Sequence, residues 1–364
     1  MDQLEFNAIG SHCFAGLIIK GFEKHFNVLA SFEPGGYARE TMEYNFPNMN
    51  RIEGSEKHDK YEIFKGIDLI FGNPVCSGFS ITNTSDRGSD SKQNWSIKDY
   101  IETVKLIDPT VFVYESVQGH WTKGKQLLME HVNNFPDYKF TFLLTNALLH
   151  NVAQNRPRFF CIGSKLGYVH FEKPDINNLK TVKDAIQDLE SRPQDPDWNH
   201  ITWKDNYKHV DEKVLSYLKP CKSVNDLEYD QLNDRMKEIR DRGKSFGFHS
   251  PRRIRYDYAS PVIYGGRLVH PVKHRVLTCR EELRLMSAPD GFIIKTKRSQ
   301  TSIQVGKSVP CNVAEYVAHN IKVHLITQFV GNHQLYDFNN QAKELIRKNR
   351  KKNEEETSQQ KLFR

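Results

Sequence analysis

The stretch HCFAGLIIKGFEKHFNVLASFE, residues 12–33, decides the fold of this chain. Its first part predicts a strand, a tight glycine turn at Gly16 and then a helix, and VLASFE predicts a second strand that ends at Glu33. In a Rossmann-like sheet, an acidic residue at this position accepts hydrogen bonds from a ribose hydroxyl. The chain has no GxGxxG dinucleotide fingerprint here, so an ordinary glycine turn with a surface glutamate is the alternative interpretation.

Apolar strand patterns alternate with amphipathic helix patterns through the first half of the chain. This alternation is typical of a doubly wound, mostly parallel sheet, and it predicts an α/β, Rossmann-like fold. The predicted strands are Val28–Phe32, Leu69–Phe71, Thr110–Tyr114, Phe140–Asn146 and Phe159–Gly163. The predicted helices are Ala38–Asn45, Asp99–Ile107 and Lys125–Phe135.

The strand–helix rhythm is lost between residues 172 and 268, where prolines and charged residues become frequent. We predict a catalytic domain over 1–171, a small second domain over 172–268 and a return to the catalytic domain over 269–335. We predict a charged C-terminal tail over 336–364, in which the mixed charge run from Lys343 indicates a solvated helix end that frays.

Composition limits the classes of protein to which the chain can belong. It has 364 residues, a formal charge of +7 and six cysteines without CxxC or metal-ligand spacing. It opens without the apolar core of a signal peptide, and no run approaches the roughly eighteen apolar residues of a membrane span. We therefore expect a reduced intracellular compartment, no membrane association and no metal site.

Basic residues are concentrated from Arg235 to Arg275, where they are interleaved with aromatic side chains. Such a stretch can follow phosphates and stack on bases, which favours contact with nucleic acid. The alternative is a solvated loop region that the aromatic side chains anchor.

Two predicted strand ends carry residue types that are suited to catalysis. GNPVCSGFS (72–80) follows one apolar strand and presents Cys76 in a turn that Pro74 and Gly78 shape, and VYESVQGH (113–120) ends another strand with Glu115. In a parallel sheet, both strand ends face the ligand crevice. A thiolate there could act as a nucleophile, although a lone loop cysteine is more often inert.

The segment QNRPRFFCIG (154–163) places an amide and two guanidinium groups at alternate positions. In an extended segment, Gln154, Arg156 and Arg158 would project from the same face. Together they could bind a phosphate or a carboxylate, and surface ion pairs are the alternative.

Six segments, in their order along the chain, resemble the motifs of the DNA cytosine-5 methyltransferase family. FAG…GFE with the downstream Glu33 resembles the cofactor motifs, PVCSGFS the proline–cysteine motif, ESV the Glu-Asn-Val motif and QNRPR the Gln-Arg-Arg motif. RVLTCREELRLMSAPDGF (275–292) resembles the arginine-rich motif, and QVGKSVPCNVAEYVAHNI (304–321) resembles the closing cofactor motif. The resemblance covers nearly the whole chain outside 172–268, and no single motif would suffice.

The resemblance implies an S-adenosylmethionine-dependent methyltransferase fold, with 172–268 as the target recognition domain. It implies double-stranded DNA as the partner, and we expect a monomer without an obligate protein partner in the cytoplasm of a bacterial or phage-infected cell. The implied catalytic residues are Cys76, Glu115, Arg156 and Arg158. The implied cofactor-binding residues are Phe14, Gly16, Glu33, Pro74 and Ser308. The candidate DNA-binding residues are Gln154, Arg252, Arg253 and Arg255, with phosphate as the main target of the last three.

The chemistry of cytosine explains these roles. Carbon 5 of the ring is a poor nucleophile, and addition of a thiolate at carbon 6 makes it enamine-like, which assigns Cys76 as the nucleophile. Negative charge then develops toward ring N3, where Glu115 would donate a proton or a hydrogen bond. Arg156 and Arg158 would hold the base carbonyl oxygen, the adjacent phosphate or the catalytic loop. A stacked base is out of reach, so the target must be flipped out of the duplex.

Several positions depart from the family pattern. Val75 stands where a proline usually precedes the cysteine, Ser116 replaces the usual asparagine after the acid, and Lys307 replaces an asparagine in the closing motif. Residues 17–20, LIIK, follow Gly16 in place of the usual paired glycines. These changes fit a divergent, phage-type member of the family.

Two other functions remain open at this level. One is a same-fold enzyme that attaches a different group at pyrimidine carbon 5, or that acts on another nucleic acid or a nucleotide. The other is a catalytically inactive DNA-binding homologue, against which the retained Cys76, Glu115 and Arg158 argue.

Overall fold

A computed structural model describes residues 5–36, 38–53, 60–75, 78, 95–202, 211–246, 250–297 and 300–362. The chain divides into two compact units. Unit 1 comprises Met1–His150, Arg156–Asn177 and Ser308–Leu345, and unit 2 comprises Asn151–Asn155, Asn178–Lys307 and Ile346–Arg364. The predicted domain boundaries at 171/172 and 268/269 stay predictions.

Unit 1 is built around one sheet of eight strands in the order β10-β6-β7-β5-β4-β1-β2-β3. Strand β7 is antiparallel to β5 and β6, and the other pairings are parallel. The strands are β1 Asn7–Ser11, β2 Asn27–Glu33, β3 Asn50–Glu53, β4 Leu69–Gly72, β5 Val111–Val117, β6 Lys139–Asn146, β7 Pro157–Ser164 and β10 Leu335–Asp337. This topology confirms the predicted α/β fold with a mostly parallel sheet.

The central strands are buried on both faces, which explains their continuous apolar sequences. All four residues of β4, LIFG, are buried, as are the first six of β5. The Tyr100 hydroxyl, itself buried, donates to the Val113 carbonyl at 2.8 Å and so ties a flanking helix to the sheet. The sheet core is therefore fixed at two strands: β5, which carries Glu115, and β4, which precedes Cys76.

The first strand lies earlier than predicted. β1 ends at Ser11, where it pairs with both β2 and β4, and residues 12–16 form the turn. His12, Phe14 and Gly16 have φ angles of 59°, 54° and 90°, a left-handed conformation that no strand can contain. The predicted order of strand, glycine turn and helix is correct, but HCF belongs to the turn.

The helices of unit 1 flank this sheet. They are α1 Leu17–Phe22, α2 Arg39–Asn45, α3 Trp95–Ile107, α4 Gln118–Lys123, α5 Lys125–Asn133 and α11 Cys311–Thr327. Helices α1 and α11 pack closely, since a Cβ added at Gly21 would lie 2.5 Å from the Cβ of Ala314. Among the described residues, no helix is long and apolar enough to cross a membrane.

Unit 2 contains short helices and a two-stranded parallel ladder. Its helices are α6 Val182–Ile186, α7 Glu212–Ser216, α8 Asp234–Asp241, α9 Cys279–Leu285 and α10 Thr301–Lys307, and its strands are β8 Arg252–Arg253 and β9 Leu268–Val269. A separate apolar core forms here from residues such as Leu215, Leu227 and Met236. The last helix, α12 Asn339–Leu362, begins in unit 1 and continues into unit 2, and it includes most of the predicted charged tail.

Candidate active site

Glu33 lies at the carboxyl end of β2, and its side chain is 2% exposed. Its Oε1 accepts hydrogen bonds from the Cys13 backbone N–H at 2.9 Å and from the Ser31 hydroxyl at 2.6 Å. Burial raises the pKa of the Glu33 carboxyl, and these two hydrogen bonds partly oppose the rise. The alternative of a surface glutamate is therefore wrong, because this carboxylate is buried and holds the turn after β1.

The turn that contains Phe14 and Gly16 is closely packed. A Cβ added at Gly16 would lie 2.7 Å from the Met42 sulfur and would also meet the Phe46 ring, and the φ angle of 90° at Gly16 disfavours any other residue. Phe14 is partly exposed beside it. Because Gly16 has no side chain, α2 can pack against the turn. This packing fixes the residues around Glu33.

Glu115 lies near the carboxyl end of β5 and forms a buried ion pair with Arg158. The Arg158 Nε lies 2.7 Å from Glu115 Oε1, and the two side chains are 10% and 4% exposed. The pairing follows from register: Arg158 of β7 is opposite Val117, two residues from Glu115 on the same face of β5. The ion pair therefore fixes the position of the Glu115 carboxylate.

Asn73 completes the surroundings of Glu115, although no motif in the sequence indicates this role. Gly72 of β4 is paired with Tyr114 of β5, so the next residues, Asn73 and Glu115, are neighbours. The Asn73 amide donates to Glu115 Oε2 at 3.3 Å, and Asn73 is 6% exposed. The polar residue directly before Pro74 was the only sequence signal for this contact.

Cys76 lies outside the described residues, and its neighbours on the N-terminal side do not. Pro74 is buried, and the Val75 carbonyl accepts a 3.0 Å hydrogen bond from the Ser96 hydroxyl at the start of α3. The segment that leads to Cys76 is therefore held on one side by α3 and on the other by the Asn73–Glu115 contact.

Arg156 is 2% exposed and donates from its guanidinium to the Ser308 carbonyl at 2.7 Å. Its backbone N–H donates to Asn146 Oδ1 at 3.1 Å. Ser308, 1% exposed, precedes helix α11, so Arg156 joins the start of β7 to the closing motif. Arg156 and Arg158 thus have different partners and are both buried, which contradicts their reading as surface ion pairs.

The predicted shared face of the segment 154–158 is not formed by one continuous strand. β7 begins at Pro157, so Arg158 is the one member of the set that lies within it. Gln154, fully buried in unit 2, forms an isolated bridge with Ser260, and the Ser260 N–H donates to the Ala153 carbonyl at 2.9 Å.

The three arginines predicted to contact phosphate differ in exposure. Arg252 is exposed, and Arg255 is partly buried and paired with Asp257 through a 2.8 Å hydrogen bond from Nε. Arg253 is 3% exposed. Its guanidinium donates to the carbonyls of Leu215, Leu218, His270, Pro271 and Lys273.

Arg253 therefore holds three segments of unit 2 together from the inside. Burial lowers the pKa of its guanidinium, and the carbonyl acceptors satisfy its donors. This position disagrees with the predicted phosphate contact, because the side chain is enclosed by its own unit. The exposed Arg252 retains that predicted role.

Two further polar contacts near the site were missed. The Ser116 hydroxyl lies 3.2 Å from His120 Nδ1, and both residues are fully buried at the end of β5. At the end of β1, His12 Nε2 lies 3.1 Å from Asp99 Oδ2 of α3. Neither contact could be predicted from the spacing of residues in the sequence, because the histidines belong to no periodic pattern or motif.

The arrangement brings two buried carboxylates to the carboxyl ends of strands in one sheet. Glu33 is held by neutral donors and Glu115 by a guanidinium group. The first environment suits hydrogen bonding to a hydroxyl-bearing ligand, and the second suits the stabilisation or movement of a proton on a polar ring. No group of three or more His, Cys, Asp or Glu side chains in the described ranges is placed to hold a metal ion.

The chain is similar in sequence to known proteins. The sequence model of the C-5 cytosine-specific DNA methylase family matches residues 12–323. The type II methyltransferase M1.HphI of Haemophilus parahaemolyticus is 27% identical over 84% of this chain and 84% of its own. The type II methyltransferase M.DdeI of Desulfomicrobium norvegicum is 24% identical over 81% of this chain and 83% of its own.

Solved structures are similar in fold. A protein described as a DNA modification methyltransferase from an E. coli prophage superposes with a TM-score of 0.63 at 22% identity, covering 88% of this chain and all of its own. The Spodoptera frugiperda DNMT2 structure gives a TM-score of 0.56 at 12% identity, covering 87% of this chain and 99% of its own.

Proposed function

This chain belongs to the C-5 cytosine-specific DNA methylase family, and we propose that it methylates a flipped-out cytosine of double-stranded DNA through a covalent bond from Cys76. As a member of that family it is a DNA cytosine-5 methyltransferase. The proposal concerns the residues that perform the reaction, the cofactor that they bind and the way in which the base reaches them.

The observation that carries the proposal is the buried group of Glu115, Arg158 and Asn73. A carboxylate with a fixed guanidinium partner lies at the end of β5, and the amide that contacts it precedes the Pro74–Cys76 segment by one residue. The group of polar atoms is therefore attached directly to the segment that carries the nucleophile.

The first chemical step is addition of the Cys76 thiolate to carbon 6 of cytosine. A C–S bond forms, the carbon 5–carbon 6 π electrons shift toward the N3 side of the ring, and Glu115, as the carboxylic acid, transfers its proton to N3 and becomes the carboxylate that Arg158 stabilises. Its Oε2 is the available oxygen, because the 3.3 Å bond from Asn73 is longer than a strong hydrogen bond. Arg158 keeps the carboxylate in place and presents its remaining donors to the base carbonyl oxygen.

The second step restores the ring. After carbon 5 has acquired the methyl group, it loses its proton to a base, the carbon 5–carbon 6 double bond re-forms, and the C–S bond breaks to release the Cys76 thiolate. The proton on N3 returns to Glu115, which completes the cycle. S-adenosylmethionine, when bound, supplies the methyl group to carbon 5 as an electrophile.

The residues at the end of β2 fit this cofactor. Among the described residues, the hydrogen bonds to Glu33 end on Oε1, which leaves Oε2 to accept from a ribose hydroxyl. Phe14 and Gly16 lie in the turn that Glu33 holds, and Pro74 and Ser308 belong to segments fixed by Asn73 and Arg156. The strands β1, β2 and β4 are adjacent. The candidate cofactor-binding residues at or just after their carboxyl ends are therefore neighbours: Phe14, Gly16, Glu33 and Pro74.

A base in a duplex cannot reach such a buried group, so the target nucleotide must leave the stack. We assign target selection to residues 172–268, with the exposed Arg252 as a contact to DNA phosphate. Gln154 is fully buried, so its predicted contact with DNA disagrees with the structure for the same reason as that of Arg253. Arg255, paired with Asp257, is a weaker candidate for phosphate.

A duplex that carries 5-fluorocytosine at the target position tests the proposal. Fluorine cannot leave carbon 5 as a proton does, so the Cys76 thioether should persist as a denaturation-resistant adduct that forms only with S-adenosylmethionine. Cys76→Ser should abolish the adduct, because an alcohol lacks the low pKa and nucleophilicity of a thiol.

The matched control is Cys221→Ser, since Cys221 is an exposed free cysteine of unit 2 and should retain the adduct. An adduct that survives in Cys76→Ser, or that maps to another cysteine, would overturn the assignment. Mass spectrometry of nucleosides from cells that express the chain should show 5-methylcytosine in DNA; a different modified base would also overturn it.

A further inference from the structure

Helix α12 carries a concentrated row of exposed cations that the catalytic proposal does not use. Its segment KELIRKNRKK, residues 343–352, has six basic residues and one acidic residue. Arg347, Lys348 and Lys351 are all exposed. The helix continues to Leu362, so these residues are in regular helical geometry.

The opposite side of the helix is anchored within unit 2. The side-chain amides of Asn349 and Asn353 both donate to the Asp257 carbonyl, at 3.0 and 3.1 Å. Residues four apart share one face of a helix. At about 100° per residue, Arg347 and Lys351 then point away from Asp257, and Lys348 flanks them. We call Arg347, Lys348 and Lys351 the basic face.

The cations of the basic face form no ion pair among the described residues, although the exposed Glu344 and Glu355 lie on the same side of the helix at about 100° per residue. Arg350 uses the nearby carboxylate of Glu354, at 2.9 Å. Within the part of the chain that the structure describes, no Asp or Glu oxygen lies within ion-pair distance of Arg347, Lys348 or Lys351. Arg347 and Lys351 are separated by a rise of roughly 6 Å along the helix. That span corresponds to about two phosphates along one DNA strand.

The residues that anchor α12 connect it to the predicted DNA-contacting segment. Asp257, whose carbonyl receives both asparagine amides, pairs through its carboxylate with Arg255. The Arg255 guanidinium also lies 4.5 Å from the centre of the Tyr258 ring. The basic face is therefore held by the same short segment, 252–258, that carries Arg252 and Arg255.

We propose that the basic face of α12 is a second phosphate-contacting surface for double-stranded DNA, fixed to unit 2 by Asn349 and Asn353. This inference rests on the proposed function, which supplies DNA as the substrate. A membrane surface fits less well, because an interfacial helix needs large apolar residues on the side opposite its cations. Here that side carries the two asparagines and Leu345, which is buried in the protein at 4% exposure.

The test is the salt dependence of DNA binding by the full chain. Arg347→Gln, Lys348→Gln and Lys351→Gln, combined in one variant, should weaken binding to a mixed-sequence duplex and reduce the slope of log K against log salt by about two to three units. The turnover rate at saturating DNA should be unchanged, because the basic face contains no residue assigned to the chemistry.

A matched control removes three exposed cations near the amino ends of the sheet strands, Lys65, Lys105 and Lys139, as glutamines. The net charge change is the same, and the slope should stay within about half a unit of the unmodified chain. Equal reductions of DNA affinity and of the salt-dependence slope in both triple variants would overturn the proposal, because the loss of total charge would then explain the effect. An unchanged slope in the α12 variant would also overturn it.

Two more arms identify the ligand. The affinities of the α12 variant and the unmodified chain are compared on an RNA duplex and on anionic vesicles. The substitutions should reduce affinity for these two ligands by less than they reduce affinity for DNA. A larger effect on RNA or vesicles would overturn DNA as the ligand of this face. Failure of the proposed function would appear separately, as an unmodified chain that makes no 5-methylcytosine.

Discussion

The two buried carboxylates of the sheet, Glu33 and Glu115, have the same location in their strands but different partners. Each lies at or near the carboxyl end of a parallel strand and is at most 4% exposed. Glu33 is held by a backbone N–H and a hydroxyl, and Glu115 is held by the Arg158 guanidinium at 2.7 Å. The hydrogen-bond donors to Glu33 are neutral, and the Arg51 guanidinium contributes an electrostatic interaction that partly opposes the rise in the pKa of the carboxyl caused by burial. Glu115, by contrast, is one half of a direct ion pair.

The difference indicates separate tasks. A buried carboxylate whose hydrogen-bond donors are all neutral gains from a ligand that brings further donors, since each new donor offsets its desolvation. An ion-paired carboxylate already has its charge compensated, and the guanidinium fixes its orientation. We therefore expect loss of Glu33 to affect binding and loss of Glu115 to affect the rate of the chemical step.

The largest effect should come from Glu115→Gln. The amide keeps the shape of the side chain but cannot protonate ring N3, so adduct formation on 5-fluorocytosine DNA should slow by about 10²–10⁴-fold. Rapid-quench measurement of the adduct under single-turnover conditions reports this rate. Affinity for S-adenosylmethionine should be unchanged within error.

The exposed Glu62 provides the matched control for that substitution, with Glu62→Gln expected to react at the rate of the unmodified chain. A Glu115→Gln variant that forms the adduct at the same rate as Glu62→Gln would remove Glu115 from the chemical step. A loss confined to cofactor affinity would reverse the two tasks that we assign.

The sequence predicted the sheet well because its strands are short apolar runs bounded by turn residues. The predicted strand Phe140–Asn146 corresponds to β6 Lys139–Asn146, and Leu69–Phe71 corresponds to β4 Leu69–Gly72. The position of Glu33 at a strand end followed from the same local pattern. Such patterns depend on residues that are near one another in sequence.

The side-chain environment could not be predicted in the same way. The contact of Asn73 with Glu115 depends on the register of β4 against β5, and the burial of Arg253 depends on carbonyl groups from 215–218 and 270–273. These partners are distant in sequence, so a cluster of three arginines looked like one exposed group. The left-handed conformation of His12 also arises from packing, since no local signal distinguishes it from a strand residue.

A smaller effect is expected from Glu33→Gln, which tests the binding half of the comparison. Replacing the carboxylate by an amide of the same shape should weaken S-adenosylmethionine binding by about 1.5–3 kcal/mol, the range of a hydrogen bond to a charged group. Isothermal titration calorimetry measures this difference. The same variant, saturated with cofactor, should form the adduct within about threefold of the normal rate, a margin below the effect of one general acid. Unchanged affinity in a folded Glu33→Gln protein would exclude Glu33 from the cofactor site.

The smallest effect should come from Ser31→Ala, which removes one of the two donors to Glu33 and sharpens the comparison through pH. Burial raises the pKa of Glu33 above the ordinary glutamate value of 4.5, and the Ser31 hydrogen bond lowers it. If the ionised carboxylate binds the cofactor, affinity should be full above this pKa and should decline as the pH falls through it. Removing the hydroxyl raises the pKa further, so the decline should begin at a higher pH in Ser31→Ala than in the unmodified chain. Well above this pKa, the cost in affinity should be no more than about 1 kcal/mol, because Glu33 is then charged and keeps the hydrogen bond from the Cys13 N–H. Calorimetric titrations across pH measure both quantities, and identical pH profiles for the two proteins would show that Glu33 does not titrate in cofactor binding.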